Sequence, residues 1–392
     1  MQIALIDSEE SRAHLLPLCF LKPISELRIG ILTIREKWEK YFSQELLTIS
    51  ADYLEAKFKK AKGGGFWVQS NLLPTQELKE AILSLKPGEC LIQKDIILAG
   101  HVEDYASVGK ASQQIEFQGK VDHVTAPWDF FRKNGEQIRA DYQLITKDRQ
   151  SEALSDPHTI VYGQDIFIEE GVSIKAAVLN AENGPIYLGK NATIHEGALI
   201  KGPFAICEGS HVNMGAKIRG DATVGPFSKV GGEYSNSLIM GYSNKSHDGF
   251  LGNSVIGEWC NIGAASDSSN LKNNYRNVQV WSHATNRYED TGLQFCGLIM
   301  GDHSRCSINT MFNTGTVVGV SAGLFGTDFH KKFVPSFSWG GREKYSTYRP
   351  EKAFETMEMV MQRRDKTLDE SDKQILQHVF EVTAKNRTWE KK

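Results

Sequence analysis

The sequence predicts an α/β domain over residues 1–150, a parallel β-helix over residues 151–345 and a helical tail over residues 346–392. Three observations support this division: mixed strand and helix patterns at the start, an aliphatic residue at every sixth position in the middle, and two short amphipathic patterns at the end. A chain of 392 residues is also long enough for two or three domains.

The six-residue repeat is the strongest structural signal in the chain. A period of six is neither the 3.6 of a helix nor the 2 of an ordinary strand, and it fits a β-solenoid in which each short strand forms one side of a triangular coil. Each aliphatic residue would point into the coil, where burying one such side chain contributes ~1.5–3 kcal/mol. The consecutive positions are Leu188, Ile194, Ile200, Ile206, Val212, Ile218, Val224 and Val230.

The same phase recurs before and after this run, with two interruptions. One gap lies between Val230 and Ile256 and the other between Ile262 and Met300. Insertions in a solenoid fall on one face, often the binding face, so we expect the gaps to be excursions that carry a site. The positions in phase outside the run are Ile160, Ile166, Val172, Val178, Ile256, Ile262, Met300, Cys306, Phe312, Val318 and Leu324.

The flanking regions differ from the repeat in composition and periodicity. In the first domain we expect helices near Ile31–Tyr41 and Thr75–Leu85 and strands at Ile3–Ile6, Cys90–Leu98 and Gln143–Ile145. After Pro350, apolar residues at helical spacing predict two short amphipathic helices that pack along the solenoid or a neighbouring subunit.

Composition excludes several classes of protein. Lys+Arg is 45 and Asp+Glu is 48, so the formal net charge is -3, which excludes a strongly basic nucleic-acid binder. The sequence contains no run of 18 apolar residues, so no membrane span is predicted, and the first residues lack the features of a signal peptide. The six cysteines form no CxxC pair, so we expect a reduced, cytoplasmic protein. From the charge and the lack of a span we expect neither nucleic acid nor a membrane as a partner.

A polar segment at residues 231–276 contains the best candidate site. A lone histidine is more often structural than catalytic. Here, however, His247 stands in the run Lys245-Ser-His-Asp-Gly-Phe250-Leu-Gly-Asn253, followed by Ile256-Gly257 and Asn261-Ile-Gly-Ala264. This run resembles the signature K-x-x-H-x-x-Y-L-G-D-x-x-I-G-x-x-x-N-I-G-A-G of the acetyltransferase half of GlmU-type enzymes, which make UDP-N-acetylglucosamine.

This resemblance implies a left-handed β-helix and a specific chemistry. His247 would be the general base that takes a proton from the amine of glucosamine 1-phosphate as it attacks the thioester of acetyl-CoA, the co-substrate. Glu233 would orient the reacting groups, and the amide of Ala264 would donate to the oxyanion, a contact worth ~3–4 kcal/mol. A homotrimer is implied because the family places acetyl-CoA between adjacent solenoids. The implied substrate-binding residues are Arg219, Phe250, Asn261, Asn270 and Arg276.

The sequence departs from the family pattern at three places. Phe250 stands where the family has tyrosine, Ser235 falls near a family lysine that holds the sugar phosphate, and the insertion Trp281–Cys296 has no counterpart. These departures concern the acceptor sugar more than the reaction type. Asn261 and Asn270 also fit solenoid turns, where asparagine tolerates positive φ.

The first domain resembles sugar nucleotidyltransferases. The run from Arg12 to Pro23, with Leu-Leu-Pro-Leu and Lys22-Pro, is similar to their R-L-x-P-L-T…K-P stretch, and it continues through Arg28, although their glycine-rich loop is absent. The resemblance implies that Arg12, Lys22 and Arg28 contact phosphates and that Mg²⁺ assists nucleotidyl transfer. The metal ligands stay unassigned; Asp122 and Asp141 are candidates by residue type only.

Taken together, the resemblances imply acetyl transfer to glucosamine 1-phosphate or a related amino-sugar phosphate, then uridylyl transfer by the first domain. One alternative is a sugar-1-phosphate nucleotidyltransferase whose β-helix only trimerises or senses ligand. A second is a non-enzymatic scaffold that binds a sugar nucleotide. A more distant one is a metal enzyme whose coils bring together some of His195, His211, His247, His283 and His303.

Overall fold

The first domain is built on a six-stranded mixed sheet, in a computed structural model that describes residues 2–109 and 113–390. Two neighbours of Ile3–Ile6 run parallel to it, whereas Ile96–Val102 is antiparallel to both of its own neighbours. The order across the sheet is Leu47–Ile49, Ile3–Ile6, Gly65–Gln69, Ile96–Val102, Glu89–Gln93 and Gln113–Glu116. Two short antiparallel pairs are Arg28–Ile29 with Leu32–Thr33, and Leu72–Leu73 with Asp122–His123.

Side-chain caps fix where the helices of this domain begin. The Thr33 hydroxyl accepts a hydrogen bond from the backbone N–H of Glu36, and the Glu36 carboxylate accepts one from the backbone N–H of Thr33. This capping box fixes the start of the second helix at Ile34. Ser8 and Thr75 cap their helices in a similar way. The helices are α1 (Glu9–Leu15), α2 (Ile34–Phe42), α3 (Gln76–Leu83) and α4 (Asp129–Thr146), with 3-10 turns at Ile24–Glu26, Asp52–Leu54 and Tyr105–Ser107.

Most predicted elements of this domain are confirmed, with shifted ends. The strand Ile3–Ile6 and the helices α2 and α3 are present where the pattern placed them. The single strand expected over Cys90–Leu98 is a hairpin instead, because Lys94 and Asp95 turn the chain with positive φ.

The strand predicted at Gln143–Ile145 is wrong, since these residues form the last turn of α4. The short apolar run gave a strand signal, but the buried residues upstream recur three or four positions apart, which is the spacing of a helix face. They are Phe130, Asn134, Ile138, Asp141 and Ile145.

The middle of the chain forms the predicted β-helix, a parallel solenoid with three faces. Face 1 contains Ile160–Tyr162, Val178–Asn180, Leu199–Lys201, Lys217–Ile218, Glu233–Ser235, Phe250–Gly252, Asp267–Ser268 and Met311–Phe312. Face 2 contains Ile166–Ile168, Ile186–Leu188, Phe204–Ile206, Ala222–Val224, Leu238–Gly241, Val255–Glu258, Ile299–Met300, Val317–Val318 and Phe333–Val334. Face 3 contains Ser173–Ile174, Thr193–Ile194, His211–Val212, Lys229–Val230, Asn244–Lys245, Arg305–Cys306, Gly323–Leu324 and Ser338–Gly340, and Tyr345–Thr347 pairs antiparallel with the last of them.

The central hexad positions from Leu188 to Val230 are all buried, as predicted. The phase assigned to the first coil is wrong. Ladder pairing places Ile168, Ile174 and Leu179 beside Leu188, Ile194 and Ile200, whereas the predicted Ile160 is exposed. Ladder partners there lie 20 or 21 residues apart, against 18 between Leu188 and Ile206, so these coils are longer than the regular ones and the period shifts.

The first predicted gap is not an excursion. Between Val230 and Ile256 the solenoid continues with uneven spacing, and Tyr234, Ile239 and Lys245 occupy inward positions on successive faces. The second gap does leave the coil: after Ser268 it forms the hairpin Gln279–Ser282 with Arg287–Asp290.

Face 2 is covered by the first domain. Helix α4 and the turn at Gly30 lie against it, and the Thr223 hydroxyl donates to the Gly30 carbonyl at 2.9 Å while Asn134 Nδ2 donates to the Asp221 carbonyl at 3.0 Å. Beneath α4, buried Lys37 pairs with buried Asp141. The two domains therefore share one continuous core.

The inserted hairpin and the tail fasten the domains together. The His283 ring lies edge-on to Phe20 of the first domain, with 5.5 Å between ring centroids. The two predicted tail helices are confirmed as α5 (Pro350–Gln362) and α6 (Glu370–Val382), followed by 3-10 turns at Ala384–Asn386 and Thr388–Glu390. Both pack on the solenoid and on the first domain, where His378 stacks on Tyr53 at 4.2 Å.

All six cysteines are buried free thiols. Among the helices of the described ranges, none is long and apolar enough to cross a membrane.

Replacing Ile200 by aspartate tests the inward assignment of the hexad residues. Ile200 is buried in the coil, and an unpaired charge there should lower the free energy of unfolding by about 3 kcal/mol or more. The neighbouring Lys201 is exposed, so Lys201→Asp is the matched control and should change it by less than about 0.5 kcal/mol. Urea denaturation followed by circular dichroism measures both, and equal losses would contradict the assignment.

Candidate functional site

His247 lies on a corner of the solenoid, between Asn244–Lys245 on face 3 and Phe250–Gly252 on face 1. His247 is exposed, and among the described residues its only hydrogen bond that involves a side chain is the one that its carbonyl accepts from Lys245, so its ring nitrogens have no hydrogen-bond partner there. The backbone of the corner is held from two sides. Lys245 Nζ donates to the His247 carbonyl, and Asn213 Nδ2 donates to the Ser246 carbonyl at 2.8 Å.

Lys245 is a cation in an otherwise apolar column. It occupies the inward position between Val230 and Ile262 on face 3, and its side chain is almost completely buried. Burial lowers the pKa of Lys245 to about 8, although Asp267 and Asp248 act in the opposite direction. A buried lysine is unfavourable in the core. Its hydrogen bond to the His247 carbonyl gives it a role, because it holds the backbone of the corner that carries His247.

A cavity of about 420 Å³ opens beside His247, between face 3 and the carboxyl-terminal end of α5. His247 and Asn261 both line it, so the structure brings these two predicted residues together. Asn261 is paired with Asn244 on one side and with Arg305 on the other, which places it on the floor of the cavity.

Four other predicted residues lie around the corner on face 1. Arg219 Nη1 pairs with Glu233 Oε1 at 2.9 Å, and Glu233 is the ladder partner of Phe250. Asn270 Nδ2 donates to Asn253 Oδ1 at 2.8 Å in the next coil. This group lies on the open surface of the solenoid, since Arg219 is 65% exposed.

Ala264 and Arg276 are placed on loops that follow these strands. The Ala264 carbonyl accepts the amide of Asn309 at 2.8 Å, while its own N–H makes no hydrogen bond within the described part of the chain. That N–H is therefore available to a ligand. Arg276 lies exposed beyond Asn270, with its amide bound to the Asn274 side chain.

The three cations predicted to contact phosphates in the first domain are held by protein groups. Buried Arg12 pairs with Asp7 at 2.8 Å. Lys22 crosses to the solenoid, where its Nζ lies 2.7 Å from Glu258 Oε2 and 3.2 Å from Asp302 Oδ2. Arg28 donates to the Ile31 carbonyl. Arg12 also donates to the Lys22 carbonyl at 3.2 Å, so all three cations contact groups of the protein itself.

A different part of the first domain forms a cleft of about 670 Å³. It lies at the carboxyl ends of Ile3–Ile6 and Gly65–Gln69, where ligands bind in open α/β sheets. Gln69 and His14 line it, and Gln69 Oε1 is buried without a hydrogen-bond partner. The sequence analysis missed this cleft, although polar residues directly after two parallel strands were a usable signal.

The candidate metal ligands are already paired. Asp122 binds Lys133, and Asp141 binds Lys37 and accepts the Ile31 amide at 2.8 Å. Within residues 2–109 and 113–390, no group of three or more His, Cys, Asp or Glu side chains could hold an ion.

The coils do bring two distant histidines together. His195 Nε2 lies 3.4 Å from His211 Nδ1 on adjacent strands of face 3. A pair alone falls short of the three or four protein ligands that zinc takes.

Comparisons with known proteins match the first domain to a family and part of the chain to two curated relatives. The family described as sugar nucleotidyl transferase matches residues 3–150. The bifunctional protein GlmU of Corynebacterium glutamicum (strain R) is 29% identical over 194 residues, which are 46% of this chain and 36% of that protein. GlmU of Wigglesworthia glossinidia brevipalpis is 26% identical over 176 residues, 41% of this chain and 34% of that protein. The matches thus span about a third of the length of these relatives.

One solved structure among the matches is the polySia specific acetyltransferase NeuO. It is 14% identical, covers 50% of this chain and 85% of its own, and has a TM-score of 0.27.

Replacing Lys245 by methionine tests whether the buried cation destabilises the coil. Burial lowers the pKa of Lys245 from 10.5 to about 8, so the folded chain loses this proton at a lower pH than the unfolded chain. The destabilising effect of the buried charge is therefore complete below pH 8 and declines as the pH rises towards 10.5. We therefore expect Lys245→Met to be more stable than the wild type at pH 7, with an advantage that shrinks towards pH 10. Urea midpoints at both pH values measure this, and exposed Lys217→Met is the control. A pH-independent advantage would contradict the assignment.

Proposed function

Because the chain is a divergent GlmU-like protein with a nucleotidyltransferase-type domain and a β-helix, we propose that the cavity beside His247 is an acetyltransferase site. Its reaction is the transfer of an acetyl group from acetyl-CoA to the amine of glucosamine 1-phosphate or a related amino-sugar phosphate. The observation that carries this proposal is the exposed His247 ring, which has no hydrogen-bond partner among the described residues and lines the same cavity as Asn261.

The chemistry follows from what each group can do. The amine nitrogen attacks the thioester carbonyl carbon while the imidazole of His247 accepts the proton that the amine loses. The free N–H of Ala264 donates to the oxyanion of the tetrahedral intermediate. When the carbon–sulfur bond breaks, CoA leaves as a thiolate and takes up the proton.

The face 1 group would bind and orient the acceptor. Glu233 is fixed by Arg219, so its carboxylate can polarise a sugar hydroxyl or the amine, and Asn270 offers hydrogen bonds in the next coil. Phe250 supplies an apolar wall, and Arg276 on its loop can reach a sugar phosphate. This surface is open in a single chain, which favours a homotrimer in which a neighbouring solenoid closes the site.

The cleft of the first domain favours a second activity, uridylyl transfer. The phosphate of the N-acetylated sugar attacks the α-phosphorus of the nucleoside triphosphate, and pyrophosphate leaves. Asp122 and Asp141 do not fit as ligands of Mg²⁺ because lysines occupy both carboxylates. No step is therefore assigned to a metal ion.

Two alternatives predict different activities. A nucleotidyltransferase whose β-helix only assembles the oligomer would release no thiol from acetyl-CoA, and a non-enzymatic scaffold would carry out neither transfer. The free histidine in a cavity favours acetyl transfer over both.

Replacing His247 by alanine should abolish acetyl transfer. Release of free thiol from acetyl-CoA with glucosamine 1-phosphate should fall by at least about a hundredfold, which is the lower range for loss of a general base. His158→Ala removes an exposed histidine of the first coil and should leave the rate unchanged. Thiol release that persists in the His247 variant would contradict the proposal.

Replacing Gln69 by alanine should weaken nucleotidyl transfer alone. Loss of one hydrogen bond to a charged ligand should raise KM for UTP by about tenfold, while acetyl transfer is unchanged. Gln76→Ala on the exposed side of α3 is the control. Pyrophosphate release with UTP, Mg²⁺ and N-acetylglucosamine 1-phosphate measures the effect, and an unchanged KM would remove the cleft from the account.

A further inference from the structure

The cavity beside His247 is lined by cations that lack acidic partners. Lys229 and Arg305 approach it from face 3, and Arg363 and Arg364 approach it from the end of α5. No aspartate or glutamate lines it, and none of the four takes part in a salt bridge within the described residues. Four positive groups thus face about 420 Å³ without a counter-charge.

Arg305 is the most telling of these groups. It is half-buried, its Nε is enclosed without a hydrogen-bond partner, and burial lowers the pKa of its guanidinium. Other buried arginines of this chain have carboxylates: Arg12 pairs with Asp7, and Arg387 pairs with Glu390. A half-buried cation with an enclosed, unpartnered Nε is unfavourable, so its presence indicates an anion that binds there.

The two tail arginines reach the cavity because α5 is firmly docked. Met357 and Met361 are buried in the cluster that includes Trp259 and Phe337 of the solenoid. Arg364 Nε lies 3.5 Å from the carbonyl of Phe227, at the edge of face 3. The tail is therefore one wall of the cavity.

We propose that this cavity is a phosphoryl-binding site formed jointly by face 3 and the tail, in which Arg305, Arg363 and Arg364 hold a phosphate group of a substrate. Guanidinium groups suit this ligand because their paired N–H donors match two phosphate oxygens. The inference rests on the proposed acetyl transfer for the identity of the ligand, since both the amino-sugar phosphate and CoA carry phosphates. It adds that the tail is part of the site.

Binding measured apart from turnover tests this site. Isothermal titration of the full chain with glucosamine 1-phosphate, CoA and 3′-dephospho-CoA identifies the source of the phosphate. We expect at least one probe to bind, and the double variant Arg363→Gln/Arg364→Gln to bind it at least tenfold more weakly. Lys366→Gln, two residues further along, removes a charge that does not line the cavity and should bind like the wild type.

The pattern of binding decides between the phosphate sources. Loss restricted to glucosamine 1-phosphate assigns the site to the sugar phosphate, and loss restricted to CoA assigns it to CoA. If 3′-dephospho-CoA binds the wild type as weakly as CoA binds the double variant, the 3′-phosphate is the group held. Failure of all three probes to bind the wild type, or equal binding by the double variant, would overturn the inference.

Arg305→Met provides a readout that misfolding cannot imitate. Without ligand this variant should have a higher Tm than the wild type, because an unpaired buried charge is removed, and it should lose the binding. A lower Tm would contradict the assignment.

The proposed function and this inference can fail separately. If the double variant keeps full turnover and binding, this inference fails and the proposed function stands. If binding weakens as expected but the wild type releases no thiol, the proposed function fails and the site stands.

Discussion

The burial of face 2 on both sides is the constraint on which the rest of the structure depends. On faces 1 and 3, outward residues meet solvent or the tail, whereas Phe204, Ala205 and Ile206 of face 2 are all buried. A sheet that is buried on both of its sides needs side chains that are apolar, or hydrogen-bonded within the protein, in both directions. Thr223 meets that need by donating to the Gly30 carbonyl. The solenoid thus supplies part of the core of the first domain.

This shared core fixes the positions of the parts that form the candidate site. Lys22 extends from the first domain to Glu258 and Asp302, and both carboxylates raise its pKa against the effect of burial. The tail packs across the same junction, with α6 against Tyr53. Because solenoid, first domain and tail are mutually braced, the end of α5 is held over face 3 beside His247. A site assembled from separate parts of the chain requires such bracing.

The sequence predicts what is local and repetitive, and it misses what depends on docking. The hexads from Leu188 to Val230 are confirmed because each position is set by its own coil. The sequence indicates Lys245 only as a residue of the motif, although its side chain occupies an inward position of the coil. Arg363 and Arg364 have no local signal at all, since their role depends on where α5 docks. The sequence likewise gives no sign that Arg12, expected at a phosphate, is buried beside Asp7, although the two residues lie close together in the chain.

A crystal structure of the full chain with CoA and glucosamine 1-phosphate would show whether the cavity beside His247 binds the substrates of acetyl transfer. We expect the sugar amine at about 3 Å from a ring nitrogen of His247 and a phosphate between Arg305 and the end of α5. Both ligands ordered elsewhere on the protein, with this cavity empty, would contradict it.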